Sequence, residues 1–300
     1  MDSAKAPLAI GIDLGTTYSC IAYIDEYGKP LILKNFEGDS ITPSVISFQD
    51  GSDEVIVGKV AKSIKAQEPL NVVEFIKRSM GRKNMERFIG DKSYQPEELS
   101  SFILSKLVKD AAEKLGRPVE QAVITCPAYF GTNEREATAQ AGVISGLKGY
   151  TEDGKPNIIP EPTAASFFYG LQKSSSDELV MVYDLGGGTF DVTLLEVKNG
   201  SVKSICIGGN HELGGKDWDD DIANDCIQQV TEQGADPERI KNDPVALGDM
   251  SLKIEEAKKL LTAKEKTMLV LYFDGAQYRI ELTREKFDRL TRGRLESTIT

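Results

Sequence analysis

The chain is 300 residues long, 40% hydrophobic and 28% charged, so it can bury the core of one large domain or of two lobes. Its net charge of −11 argues against a nucleic-acid-binding surface or an anionic-membrane surface. It has no low-complexity tract, no signal-peptide layout over Met1 to Pro7 and no apolar run near the ~18 residues of a membrane span. The four scattered cysteines (Cys20, Cys126, Cys206, Cys226) and the single histidine, His211, speak against zinc and for a reducing cytoplasm.

The first expected elements are strands. The apolar run Leu8 to Ile12 ends in Asp13, turns through Leu14-Gly15-Thr16-Thr17 and re-enters an extended stretch over Tyr18 to Ile24. Glu26-Tyr27-Gly28-Lys29 reads as a hairpin turn and Val45 to Phe48 as a short strand; residues 58–90 are mixed, and basic at Lys77-Arg78. Pro96 opens a helix with Glu97-Glu98 behind it, and Leu99, Ile103, Leu107, Ala111 and Leu115 recur every four residues until Gly116 ends it. Val119 to Thr125 reads as a strand broken at Cys126-Pro127, residues 131–143 as a helix and 149–156 as a loop. Pro162 opens a helix carrying Ala164, Ala165, Phe167, Phe168 and Leu171. The polar stretch Lys173 to Asp177 marks the expected boundary between lobe I, residues 1–173, and lobe II, residues 174–300.

Beyond that boundary the opening phrase returns. The apolar run Leu179 to Tyr183 ends in Asp184-Leu185-Gly186-Gly187-Gly188-Thr189 and continues as a strand over Phe190 to Val197. A hairpin turn is expected at Lys198-Asn199-Gly200, with a return over Ser201 to Ile207. A Gly-rich loop, from Gly208-Gly209 to Gly214-Gly215, leads to a helix from Asp217, and Met250 to Thr262 forms another. Met268 to Phe273 and Gln277 to Leu282 form a hairpin around Asp274-Gly275, and Thr283 caps a last helix. The two openings and the strand/helix alternation after them point to duplicated α/β lobes, each a mixed sheet flanked by helices.

Each repeated phrase carries chemistry. A Gly/Thr turn between strands lets backbone N–H groups approach a phosphate, because glycine has no Cβ to block it. An acid at the strand end can hold a divalent cation through its waters, the usual mode for Mg²⁺. Asp13 with Gly15, Thr16, Thr17 and Tyr18, and Asp184 with Gly186, Gly187, Gly188 and Thr189, therefore read as two jaws closing on a nucleotide triphosphate. Either turn alone is also compatible with an ordinary acidic hairpin or a loose glycine loop.

Ile10 to Ser19 resembles the opening signature of the Hsp70 chaperones, and Val182 to Val192 resembles their second signature. Further matches follow in order: Lys77-Arg78-Ser79-Met80-Gly81-Arg82, Cys126-Pro127-Ala128-Tyr129-Phe130, Glu161-Pro162-Thr163-Ala164-Ala165 and Leu213-Gly214-Gly215-Lys216-Asp217-Trp218. The resemblance runs from about residue 8 to the end and covers only the ATPase domain. It implies a two-lobed, actin-like (ribonuclease H-like) α/β ATPase binding ATP or ADP with Mg²⁺ and K⁺ at the base of a cleft. A J-domain co-chaperone and a nucleotide-exchange factor are its implied partners. Client peptides would bind only through a substrate-binding domain that is not in this sequence. No nucleic-acid or membrane partner is implied, and a cytoplasmic monomer is expected. The resemblance also places a second adenosine loop and a final strand and helix beyond Thr300, so a C-terminally truncated domain is expected.

The resemblance further assigns residues. Lys77, otherwise a lysine on a charged stretch, would stand beside the γ-phosphate and orient the attacking water. Glu161 would complete the water and metal network, or would merely offset a helix dipole; Pro160 stands where the family usually has Asn. Asp184 would assist Mg²⁺ and the water, and Asp191 would bind K⁺. Glu255, Lys258, Lys259 and Thr262 fall on one helical face by spacing, which suits a surface Glu–Lys pair and, by resemblance, the adenosine side of the cleft. Lys259 replaces a common Arg, so weaker stacking on the base is expected. Gly214, Gly215 and Lys216 fall in the ribose-side loop, where Lys216-Asp217-Trp218 replaces the commoner Glu-Asp-Phe. Pro127 and Arg135 match the interlobe switch, or are a strand-ending proline and an exposed arginine. His211 reads as a loop residue and Trp218 as core. Two rivals with the same architecture are a sugar kinase and a nucleotide-dependent filament protein.

Overall fold

The computed structural model describes residues 8–52, 54–82, 85–152, 154–170, 177–198 and 201–299. The expected lobe boundary at residues 173/174 and the turn residues Asn199 and Gly200 lie outside that set. Among the described residues no helix is long and apolar enough to cross a membrane.

The first half is built on a mixed sheet ordered 158–160, 123–126, 10–13, 18–24, 30–33, with 42–43 also paired to 18–24. Ile10–Asp13 is its centre. It runs parallel to Val123–Cys126 (Gly11 opposite Val123) and antiparallel to Tyr18–Ile24 (Asp13 opposite Cys20). Alternation in Ile10–Asp13 buries Ile10 and Ile12 and leaves Asp13 on the open side. The helix Pro96–Leu115 has Pro at its first turn and a Glu98 carboxylate accepting from the Gln95 N–H at 2.7 Å, and it ends on Gly116 at φ 62°. Its buried stripe of Leu99, Ile103, Leu104, Leu107 and Ala111 packs with Ile12, Ile21 and Ile124 in one core.

The second half repeats the opening. Glu178–Leu185, Phe190–Lys198 and Ser201–Asn210 form an antiparallel sheet in which Asp184 stands opposite Asp191. A separate core joins Ile222, Cys226 and Val230 of the helix Gly215–Glu232 to Ile254 and Ala257 of Pro244–Leu260. The hairpin Lys266–Phe273/Ala276–Thr283 completes it through Leu271, Ile280 and Leu282. Trp218 is buried with Phe190 and Leu213, as core. Thr283 caps the last helix, accepting from the Lys286 N–H at 3.1 Å.

Four expectations change. The strand expected from Val119 begins at Val123, where its ladder with the parallel neighbour begins, opposite Gly11. The helix expected from Met250 begins at Pro244, where Asp243 accepts from the Val245 and Ala246 N–H groups. The same helix ends at Leu260, so Thr262 lies past it. Gly208 and Gly209 are not loop. They continue a strand opposite Val192 and Asp191, and at Gly209, φ 152°, a Cβ would sit 2.2 Å from the Phe190 carbonyl oxygen.

Candidate functional site

The two repeated turns meet face to face. A Cβ on Gly187 would lie 1.7 Å from Thr17 Oγ1, and one on Gly188 would lie 2.3 Å from Thr16 Cγ2. Only glycine allows this approach. Gly15 is held the same way, since a Cβ there would lie 2.0 Å from the Tyr18 carbonyl oxygen. The Ser19 hydroxyl accepts from the Gly15 N–H at 3.1 Å, and Ser44 donates to the Gly15 carbonyl at 2.8 Å. On the other side, Gly186 donates to the Thr189 carbonyl at 2.9 Å. The start of the helix Gly215–Glu232 closes on this turn: Gly215 donates to Gly186 and Lys216 to Gly187, at 3.0 and 2.9 Å, and a Cβ on Gly214 would meet the Gly188 nitrogen at 2.5 Å.

Beneath the turns, strand ends bring acids from both halves to one lysine. Lys77 is buried on the short helix Ile76–Ser79 and pairs with Glu161, the first residue of the helix Glu161–Gly170. Burial opposes the charge of Lys77, but the carboxylates of Glu161 and Asp13 outweigh it and hold the ammonium protonated above its usual range. Asp13 accepts from the Thr125 hydroxyl at 2.7 Å. Burial raises Asp184, with Lys77 pulling the other way and Asp13 adding repulsion. Asp191 is pushed up to about 7 by burial, then by Glu161 and Asp184. So Asp13, Glu161, Asp184 and Asp191, two from each half, face a single cation.

This donor set suits a cation held partly through water. Among the described residues no three His, Cys, Asp or Glu side chains converge closely enough to grasp a metal directly. Yet buried Thr17 Oγ1, Asp191 Oδ1 and Thr193 Oγ1 have no hydrogen-bond partner in the protein, and a buried unpaired oxygen is costly. A hydrated cation and a polyphosphate would satisfy such groups.

Above the turns lies a cavity of about 320 Å³ whose walls include Thr17, Tyr18, Gly187, Lys216, Glu255 and Lys258. Its rim is strapped by charge. Tyr18 donates to Glu255 at 2.8 Å, Lys62 pairs with Glu255 at 2.5 Å, and Lys259 reaches both Tyr18 Oη (2.9 Å) and Glu255 (2.6 Å). Burial would raise Glu255, but the Lys259 and Lys62 hydrogen bonds bring it down to about 2. Lys258 donates to the Gly215 carbonyl at 3.1 Å and pairs with Asp219 at 2.7 Å. Lys216 points along its own helix to Asp220. Thr262 does not join the cavity; it is exposed and its hydroxyl donates to the Lys259 carbonyl at 2.7 Å. Farther along the rim, a Cβ on Gly248 would lie 2.3 Å from the Lys65 carbonyl oxygen, and Lys65 donates to Ser251 at 2.8 Å.

Two participants, Arg78 and Tyr129, escaped residue-by-residue reading, and a third, Arg135, is not the exposed arginine that its bland reading expected. Arg78 crosses between the halves, donating to the Gly188 carbonyl at 2.7 Å and pairing with Asp217 at 2.5 Å. Tyr129 meets the exposed His211 edge to face, with ring centroids 3.6 Å apart. Arg135 is partly buried and braces the turn after the buried Pro127, donating to the Phe130 carbonyl at 2.8 Å. Arg78 and Tyr129 have no local signature, because Gly188, Asp217 and His211 are far away in sequence.

Comparison with known proteins bears on the family of the chain. The family model described as Hsp70 protein matches residues 9–89 and 83–300. Three relatives bear the name chaperone protein DnaK. That of Thermotoga neapolitana is 42% identical over 302 residues, covering 98% of this chain and 49% of the relative. That of Thermotoga maritima is 41% identical with the same coverage, and that of Thermosipho melanesiensis is 41% identical over 303 residues, covering 99% and 49%. The chain spans about half the length of the curated relatives it matches.

Proposed function

The chain belongs to the Hsp70 family, and from that premise we propose that it binds ATP and hydrolyses it slowly as the nucleotide-binding part of a chaperone. Its α/β architecture is the actin-like ATPase fold of that family. One observation carries the reading: Thr16 and Thr17 pack onto Gly188 and Gly187, and the acids that end the strands before those turns, Asp13 and Asp184, share the field of Lys77 with Glu161. The family match gives no support to the sugar-kinase or filament readings.

The chemistry is attack of water on the γ-phosphorus of ATP. An O–P bond forms, the bond to the bridging oxygen of ADP breaks, and the water's proton leaves to a carboxylate or a phosphate oxygen. Lys77, kept charged by Glu161 and Asp13, orients the water and offsets charge on the transferring group. Asp184, raised by burial, is a stronger base than a free carboxylate and stands ready to accept from that water. The Thr16, Thr17 and Thr189 hydroxyls and the N–H groups of both turns other than those of Gly15 and Gly186 would bind the phosphates. Asp13 and Asp184 would hold Mg²⁺ through its waters, and Asp191 would hold K⁺; such cations, when bound, neutralise polyphosphate charge. Gly214, Gly215, Lys216, Glu255, Lys258 and Lys259 would line the nucleoside end.

Lobe I is assigned residues 1–173 and lobe II residues 174–300. The reading carries with it a J-domain co-chaperone, a nucleotide-exchange factor, clients bound through a further domain, and a monomer working in the cytoplasm. Calorimetric titration with Mg·ATP and Mg·ADP, followed by single-turnover assay of phosphate release, tests it. Saturable one-to-one binding and slow phosphate release are expected. Absence of both from a folded chain overturns the proposal.

A further inference from the structure

Phe75 is the residue that turns the chain into the short helix bearing Lys77, and it does so in an unfavourable conformation. Its backbone is left-handed, φ 57° and ψ 26°. Among the described residues only Asp274 shares a positive φ without being glycine, and Asp274 sits at a hairpin tip where a short polar side chain tolerates it. A bulky aromatic residue does not adopt this region unless its surroundings impose it. Those surroundings are visible. The half-buried Phe75 forms part of the wall between the 320 Å³ cavity and a neighbouring one of about 460 Å³. The Lys216 ammonium, from the opposite half, lies 5.7 Å from the ring centroid. The Phe75 carbonyl accepts from the Arg78 N–H at 3.0 Å, which closes the turn and sets the direction in which Lys77 and Arg78 leave it.

We infer that the left-handed turn at Phe75 is a positioning device: ring contacts hold the backbone in a conformation that inserts Lys77 among Asp13, Glu161 and Asp184. The Phe75 side chain carries no charge and no proton to give or take, so any effect on the chemistry comes through Lys77. The inference rests on the ATPase reading only for its consequence on turnover. The positioning itself is a property of the nucleotide-free chain.

The test separates backbone from ring. The nucleotide-free protein is treated with a small amine-acylating reagent, and modification of Lys77 is followed by peptide mass spectrometry. Phe75→Ala removes the ring and leaves a residue that does not favour the left-handed region. Lys77 is then expected to label about tenfold faster, the scale of a lost left-handed backbone preference. Phe75→Gly and Phe75→Asn also remove the ring but accept the left-handed backbone; Lys77 should stay protected within about twofold. Phe75→Tyr, which keeps the ring, should match the parent. A ring that merely filled space would order the variants the other way, with Gly worse than Ala, and that result overturns the inference. Equal Lys77 labelling in all variants overturns it too. With Mg·ATP, Phe75→Ala should lower kcat about tenfold while KM changes less than about twofold. A parent chain that protects Lys77 but neither binds nor hydrolyses Mg·ATP would sink the ATPase reading and leave the positioning result standing.

Discussion

The guanidinium of Arg78 lies 2.5 Å from the carboxylate of Asp217, although the two residues belong to opposite halves of the chain. Asp217 also accepts from the Gly214 N–H at 2.8 Å, and Arg78 also donates to the Gly188 carbonyl at 2.7 Å. One ion pair thus ties the helix carrying Lys77 to both glycine segments of the second Gly/Thr turn. Neither side chain is more than 16% exposed, so removing one partner leaves a charge in a poorly hydrated place.

Arg78→Ala is therefore expected to destabilise the chain by about 2–4 kcal/mol in urea unfolding. The double variant Arg78→Met/Asp217→Asn should recover part of that loss, because no lone charge remains. Equal midpoints for parent and Arg78→Ala would show the pair to be inert.

Lys77→Ala should leave Mg·ATP affinity within a fewfold of the parent but slow single-turnover hydrolysis by about 10²-fold, the scale of one lost electrostatic contact to the transition state. The same substitution leaves Glu161 buried without its cation, so Glu161→Gln in the Lys77→Ala background should restore stability without restoring turnover. A single-turnover rate equal to the parent's would remove Lys77 from the chemistry.

The acids give a signed pH prediction. Asp191 ionises near 7 in the fold and near 3.9 in an unfolded chain, so the folded state holds its proton over a range where the unfolded state has lost it. Its stabilising contribution is full in acid and disappears as pH rises from about 4 to about 7. Asp191→Asn should accordingly raise the melting temperature of the cation-free protein at pH 8 and flatten its pH dependence over that window. A lower melting temperature for Asp191→Asn at pH 8 would contradict the assignment. Glu255 runs oppositely. Held down to about 2 by Lys259 and Lys62, it stabilises above its unfolded value and is lost only as pH falls through about 2.

Gly187→Ala places a methyl where Thr17 Oγ1 stands, 1.7 Å away, so the turns must part. Mg·ATP affinity should fall at least about tenfold and stability by about 1–3 kcal/mol. Gly208→Ala is the matched control, since nothing lies within 4 Å of its Cβ, and it should change stability by less than about 0.5 kcal/mol. Similar losses in both would mean that crowding at Thr17 is not the cause.

The sequence is most readable where an element announces itself locally. Two apolar runs that stop at Asp13 and Asp184 and break into Gly and Thr disclose both facing turns, and Pro96 and Gly116 bracket their helix. Reading fails where the deciding partner is distant. Val123 rather than Val119 starts its strand, because the ladder with the distant Ile10–Asp13 begins at the Gly11–Val123 pair. Gly208 and Gly209 look like loop until Asp191 and Val192 pair with them. Lys77 looks like a surface lysine until Glu161, 84 residues on, is folded against it, and only family resemblance singles it out beforehand. Asp243-Pro244 was a local cap signal in plain view, and it marks the true start of the helix expected at Met250.

The pressing of Gly248 onto the Lys65 backbone has a mechanical meaning. The halves touch at this point on the rim, at Arg78–Asp217 on the floor, and between them where Thr16 and Thr17 press on Gly188 and Gly187 and where Lys62 and Tyr18 reach Glu255. Parting them therefore means undoing steric and ionic fastenings together rather than lifting one latch.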